Sequence, residues 1–195
     1  MFTIGYATKP IEQYIAQLHR YGINVVADIR SAPFSKAFFD YHQDALREHL
    51  RAAGIRYVHL GPELGPRSKD PAHYDSTGQV QFDRLMQSEL FRQGVQRLSD
   101  GVSKGFRIAM TCACKDPAIC HRSLLVGWAL QHLAGRELQH ILHEGELESQ
   151  LQLEQRLLRL TGTVPDMLTG EKAALRLAYE RQCQACAYRK PATPA

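Results

Sequence analysis

No apolar run in the chain approaches the roughly 18 residues that a membrane-spanning helix needs. The opening residues, MFTIGYATKP, carry neither the basic segment nor the apolar stretch of a secretory leader, so the expected compartment is the cytoplasm, with no membrane partner. Internal repeats and low-complexity tracts are missing, which removes solenoids and disordered arrays. Cysteine is sparse, five in 195 residues; in a reducing compartment these read as thiols or metal ligands, not as a disulfide framework. Strong charge imbalance is also lacking. A net +4 with nine histidines counted neutral is compatible with a phosphate-bearing partner without demanding one. What remains, 44% hydrophobic and 23% charged residues, is ordinary for a folded domain with a substantial core.

Short apolar runs alternate with segments of helical period, the pattern of an α/β domain. Strands are expected at Phe2–Gly5, Ile23–Ile29, Ile55–Leu60, Phe106–Cys112 and Leu138–Leu142. The second of these, INVVADI, is nearly unbroken in its hydrophobicity, as a strand buried on both faces should be. Helices are expected over Pro10–Tyr21, Tyr41–Ala53, Gln81–Ser103 with a break near Gln87–Glu89, His121–Ala134, Glu144–Leu160 and Glu171–Cys183. The predicted fold is a three-layer α/β sandwich with a mostly parallel, roughly five-stranded sheet flanked by helices. Residues 1–160 form the α/β domain; residues 161–195 supply a linker (Thr161–Gly170), a C-terminal helix and a Pro-rich tail.

Ligands of such folds bind at the carboxyl edge of the sheet. That edge holds four loops: Gly5–Thr8, Asp28–Ser35, Leu60–Gly65 and Cys112–Arg122. Asp28 and Arg30, two apart at a strand end, point the same way. They either brace each other or, with Ser31, converge on an anion, which the planar guanidinium suits. Phe34, Phe38 and Phe39 are expected in the core, with stacking on a base as the alternative. Glu63 and His59 are candidate proton-transfer groups. The loop from Gly61 to about Gly78 is long for a compact domain, which marks it as functional.

The segment TCACKDPAICHRSLL, Thr111–Leu125, admits three readings. As a metal site it offers Cys112, Cys114, Cys120 and His121 to zinc or iron. Its spacing matches no common finger, however, and Cys183-Gln-Ala-Cys186 is a half-site without a partner of equal spacing. Joined to Cys114 and Cys120, that pair makes a four-cysteine centre. As an activated thiol, Cys120 gains from the helix start and from His121 and Arg122. As an anion site, the helix start with Arg122 and Ser123 suffices. The plain structural reading makes Cys120 a small core residue and pairs Arg122 with Asp28 or Glu63. No cofactor is required by any of these patterns.

From its first strand to about Leu142 the chain resembles the domain-of-unknown-function 488 family. The resemblance lies in Thr3-Ile4-Gly5-Tyr6-Ala7, the Asp28–Ser35 segment with its Asp-x-Arg-Ser-x-Pro, the Leu64-Gly65 turn, and Cys112 with Cys120-His121-Arg122. It implies the α/β sandwich, no settled activity, and action on nucleic acid, including modified bases. Tyr6, Ala7, Pro66 and Cys114 depart from the pattern; Cys114 stands at a position where the family tends to carry an acid.

The function expected from these residues is an enzyme acting on a phosphate-bearing small molecule or nucleic acid by hydrolytic or lyase chemistry. Arg30 and Arg122 would hold the anion, Asp28 would orient Arg30, Glu63 or His121 would move protons, and Cys120 would be a nucleophile or a neighbour. The alternatives are a non-catalytic nucleic-acid-binding or regulatory module, which predicts steep salt dependence, and a metal- or redox-sensing protein built on the cysteines.

Overall fold

The computed structural model describes residues 1–35, 37–165 and 170–191. Six strands form one sheet: β1 (Phe2–Gly5), β2 (Val25–Asp28), β3 (Arg56–His59), β4 (Ile108–Cys112), β5 (Gln139–Ile141) and β6 (Leu147–Ser149). Their spatial order is β3-β2-β4-β1-β5-β6. The first five run parallel, and β6 returns antiparallel along β5. The fold is thus the expected α/β sandwich with one strand more than anticipated.

Among the described residues seven α-helices accompany the sheet: α1 (Ile11–Arg20), α2 (Gln43–Ala52), α3 (Gly61–Leu64), α4 (Phe82–Gln87), α5 (Glu89–Ser103), α6 (Gln150–Leu160) and α7 (Gly170–Cys186). Alternation along the buried strands sorts the core into two layers. Val26, Ala109 and Ile4 pack against Tyr14 and Leu18 of α1 and Leu46 and Leu50 of α2. Val25, Ala27, Ile108 and Met110 face the other way, onto Phe91 and Leu98 of α5, Leu153 and Leu157 of α6, and Ala178 and Tyr179 of α7. Each of the valine, leucine, isoleucine, methionine and phenylalanine side chains among these contributes about 1.5–3 kcal/mol when removed from water.

The break in the third expected helix falls at Ser88, whose hydroxyl accepts from the Phe91 amide and starts α5. Two stretches differ from expectation. The helix predicted from Glu144 begins only at Gln150: Gly145, at φ 102°, and the Leu142 amide bond to the Glu146 carbonyl (2.9 Å) close a tight turn instead. Leu147–Ser149 therefore pairs as β6. The segment after His121 is helical but widely wound, with π-type turns over Arg122–Gly127 and Ala129–Leu133. Phe34 and Phe39, expected in the core, are 62% and 70% exposed: Phe34 lies in irregular chain after β2, and Phe39 opens the short 3₁₀ turn Phe39–Tyr41 that precedes α2. Of the expected linker, Thr161–Pro165 is non-helical and residues 166–169 lie outside the described residues, as does the tail from 192 to 195. No helix among the described residues is long and apolar enough to cross a membrane.

Candidate functional site

Parallel register decides what meets at the carboxyl edge. Gly5 lies opposite Cys112, and Asp28 opposite Thr111 and His59, so the loops after β1, β2, β3 and β4 leave the sheet side by side. A cavity of about 280 Å³ opens there. Tyr6, Arg30, Cys112, Cys114 and His121 form its inner part, and Ser31, Phe34, Arg67 and Tyr188 its rim.

Asp28 is fully buried, with both carboxylate oxygens occupied. Oδ1 accepts from Arg30 Nε (2.8 Å) and the Arg30 amide (3.1 Å), and Oδ2 from Arg30 Nη2 (2.6 Å) and the Tyr57 hydroxyl (2.8 Å). Arg30 Nη1 reaches the Tyr6 hydroxyl (3.0 Å) and the Tyr41 carbonyl (2.8 Å). The guanidinium lies over the Tyr6 ring, 5.0 Å from its centre. Desolvation opposes its charge, but bonding to Asp28 outweighs that and raises its pKa further. Bracing and presentation thus coexist. Asp28 fixes Arg30, and a remaining Nη2 hydrogen is the part available to a ligand.

His121 is buried behind Cys112. Its Nε2 donates to the Ile29 carbonyl at 3.0 Å, which leaves Nδ1 facing two sulfurs, Cys112 Sγ at 3.5 Å and Cys120 Sγ at 4.0 Å. Hydrogen bonds from the Cys114 and Cys120 thiols, with the His121 charge, hold the Cys112 thiol well below its ordinary pKa against the effect of burial. Burial lowers the His121 pKa, yet the facing Cys112 sulfur raises it well above the usual value. The pair therefore favours thiolate and imidazolium. The Cys114 thiol carries the opposite shift, upward, through its bonds to Cys112 and Cys120. The sulfurs of Cys112 and Cys120 and the His121 nitrogen lie within 4.8 Å of one another.

The other expected site residues are placed elsewhere. Arg122 is fully buried, donating to the carbonyls of Cys114 (2.6 Å) and Lys115 (3.1 Å). It ties the loop after β4 rather than lining the cavity, and its pairing with Asp28 or Glu63 is not formed. Ser123 is equally buried, its hydroxyl donating to the carbonyls of Pro117 and Cys120. The amides of Ser123 and Leu124 both take the Cys120 carbonyl, at 3.1 and 3.0 Å, so the helix start has spent donors that an anion would need. Glu63 sits on α3 in an ion pair with Arg97 of α5, outside the cavity. His59 bonds the Arg30 carbonyl through Nε2 at 3.0 Å. Cys120 is 1% exposed and serves from behind. Cys186 lines the same cavity as Cys114, while Cys183 lines a neighbouring cleft between α4 and α7. The four-cysteine centre of Cys114, Cys120, Cys183 and Cys186 is not among the ligand clusters of the described residues.

Two contributors escaped the sequence reading, and a third was placed more sharply. Cys112, visible as a strand end and as one of four candidate metal ligands, is the sulfur at the cavity floor. Arg67 lay in a loop already marked as functional, and the structure gives it no acidic partner among the described residues; its guanidinium lies 4.9 Å from the centre of the Tyr188 ring. Tyr188 itself is placed by α7 and by its carbonyl, which accepts from the Val80 amide at 2.9 Å. No separation in sequence announces that contact.

Among curated proteins and solved structures, none matches the chain. The family model for the domain of unknown function DUF488 matches residues 10–129, a span that runs from α1 through β2, β3 and β4 to the wide helix behind His121. With more than half of its length matched, including the segments that build the cavity floor, the chain belongs to the DUF488 family.

Proposed function

We propose that the chain is a cytoplasmic enzyme whose active site is the cavity at the carboxyl edge. It acts on a phosphate-bearing substrate, a nucleotide or nucleic acid, by hydrolytic or lyase chemistry. One observation carries this reading: a single cavity sets the Cys112–His121 contact beneath a rim that holds Arg67 and Phe34. A sulfur–imidazole centre is a reactive group. A cation without an acidic partner suits a phosphate. Phe34, exposed and tilted against the His42 ring at 4.4 Å, offers the flat apolar face on which a base stacks. Arg30, immobilised by Asp28, adds a fixed positive charge between rim and floor. The thiols remain reduced in the cytoplasm.

The test is turnover of nucleoside phosphates and short single-stranded oligonucleotides by the purified full chain, with products separated by chromatography. Arg67→Ala is expected to lower kcat/KM by about tenfold, the value of one charge-assisted contact, and Cys112→Ser to abolish turnover. Saturable binding without any turnover identifies a non-catalytic binding module instead. Neither binding nor turnover sinks the proposal.

A further inference from the structure

We infer that Cys112, Cys120 and His121 form a site for a zinc-type divalent cation, with one coordination position left open toward the cavity. The inference deepens the enzymatic reading above and rests on it only for the role of the open position. The spacing of these residues is foreign to the usual fingers. The 3₁₀ turn at Pro117–Ile119 nevertheless carries Cys120 back to the end of β4.

Three features of the arrangement favour a cation over a simple thiol–imidazole dyad. A dyad needs one sulfur, exposed to its substrate; here two sulfurs flank the same nitrogen, at 3.5 and 4.0 Å. Both are nearly buried, at 5% and 1% exposure. The remaining ring nitrogen is anchored on the Ile29 carbonyl at 3.0 Å, the outer bond that orients metal-binding histidines and leaves the inner lone pair for the ion. Thirdly, two thiolates and one imidazole are the donor set that zinc accepts, and the two negative charges balance a divalent cation inside a buried centre.

Binding balances simply. The proton shared by Cys112 and His121 and the proton of Cys120 both leave to solvent, and three lone pairs join the metal. With three protein ligands the fourth position holds water, the pattern of catalytic rather than structural sites. Of the three ligands Cys112 and His121 line the cavity, so that water faces the substrate. In the hydrolysis proposed above, its oxygen bonds to the scissile centre, the leaving group departs with the bonding pair, and the water's two protons pass to the leaving group and to solvent. Cys114 lines the cavity next to this position and is not one of the three.

The test is metal content and cobalt(II) titration of the reduced, folded full chain. One equivalent of zinc-type metal is expected, and cobalt should give an intense thiolate-to-metal charge-transfer band with tetrahedral d–d absorption. Cys112→Ser and Cys120→Ser should each lose that band, with circular dichroism reporting that the variants fold. Cys114→Ser and the double variant Cys183→Ser/Cys186→Ser should keep it. Absence of thiolate-to-cobalt absorption in the wild-type chain overturns the site, and this result needs no variant. Loss of metal in Cys183→Ser/Cys186→Ser alone overturns it in favour of the C-terminal pair; loss in Cys114→Ser overturns the open position. Metal binding without turnover leaves the site standing and sinks only the enzymatic reading, whereas turnover by a chain that binds no metal does the reverse.

Discussion

The imidazole of His121 bridges two strand ends. Its Nε2 holds the carbonyl of Ile29, just beyond β2, at 3.0 Å, and its Nδ1 stands 3.5 Å from the sulfur of Cys112, the last residue of β4. Neighbouring parallel strands place these two ends side by side, and one ring reads both. The contact between Cys112 and His121 is thereby fixed to strand ends rather than to a loop tip.

That burial predicts an order of thiol reactivity. Cys114, Cys183 and Cys186 are half-buried, whereas Cys112 and Cys120 are buried. Limited alkylation of the native protein, read by peptide mass spectrometry, should label the half-buried thiols before Cys120, the least exposed of the five. Early labelling of Cys120 would contradict the packing described above.

Removing the partner of a buried charge is expected to be costly. Asp28→Ala leaves the Arg30 guanidinium buried without its carboxylate, and should reduce stability by about 3–5 kcal/mol in a denaturant titration. Tyr57→Phe removes one hydrogen bond to the same carboxylate and should cost only about 1 kcal/mol. Equal effects from the two variants would mean that the ion pair is not the anchor of this loop.

Gly5 has a steric role. A Cβ there would overlap the Cys114 carbonyl and come within 2.9 Å of Arg122 Nη1. Both belong to the interaction that holds the loop after β4. Gly5→Ala should therefore destabilise by about 1–3 kcal/mol or more and disturb the cavity. A melting curve unchanged by this substitution would count against so close an approach.

Acid sensitivity should trace to His140. Its Nδ1 bonds the Thr3 hydroxyl (2.7 Å) and its Nε2 donates to Gln150 Oε1 (2.8 Å), contacts that the neutral ring satisfies with Nδ1 accepting. Burial, reinforced by the charge of Arg122, lowers its pKa from 6.5 to about 3. Between these values the unfolded chain binds the proton and the folded chain does not, so stability falls as pH drops through the window and is regained as pH rises. His140→Gln should flatten that acid limb, measured as denaturation midpoints between pH 6.5 and 3. An unchanged slope would assign acid unfolding to other groups.

Local patterns carried much of the fold. The β-branched run INVVADI could only be a strand buried on both faces, and Ile11, Tyr14 and Leu18 at helical spacing could only face a core. The strand ends then placed four loops at one edge before any contact was known. Patterns failed where a single residue redirected the chain. Gly145 turned a helical period into a strand, and the irregular chain at Phe34 and the 3₁₀ turn at Phe39 left both outside a core that their hydrophobicity predicted. Arg122 shows a different limit. Its charge suggested a ligand, but its Nη1 and Nη2 are turned onto the carbonyls of Cys114 and Lys115, a use of arginine with no mark in sequence.

The sequence by itself determined the α/β class, the order of the elements, and the edge at which the unusual residues gather, because those follow from periodicity and chain direction. It also supplied the Asp28–Arg30 pair, since two residues in one strand share a side. Only the tertiary structure decided which sulfur meets which nitrogen. By spacing, the cysteines of TCACKDPAICHRSLL are poor partners. Packing β4 beside β1 and β2, with the Pro117–Ile119 turn folding back, nevertheless brings Cys112, Cys120 and His121 within 4.8 Å. Distance through space is set by register and loop closure, and neither is encoded in a count of intervening residues.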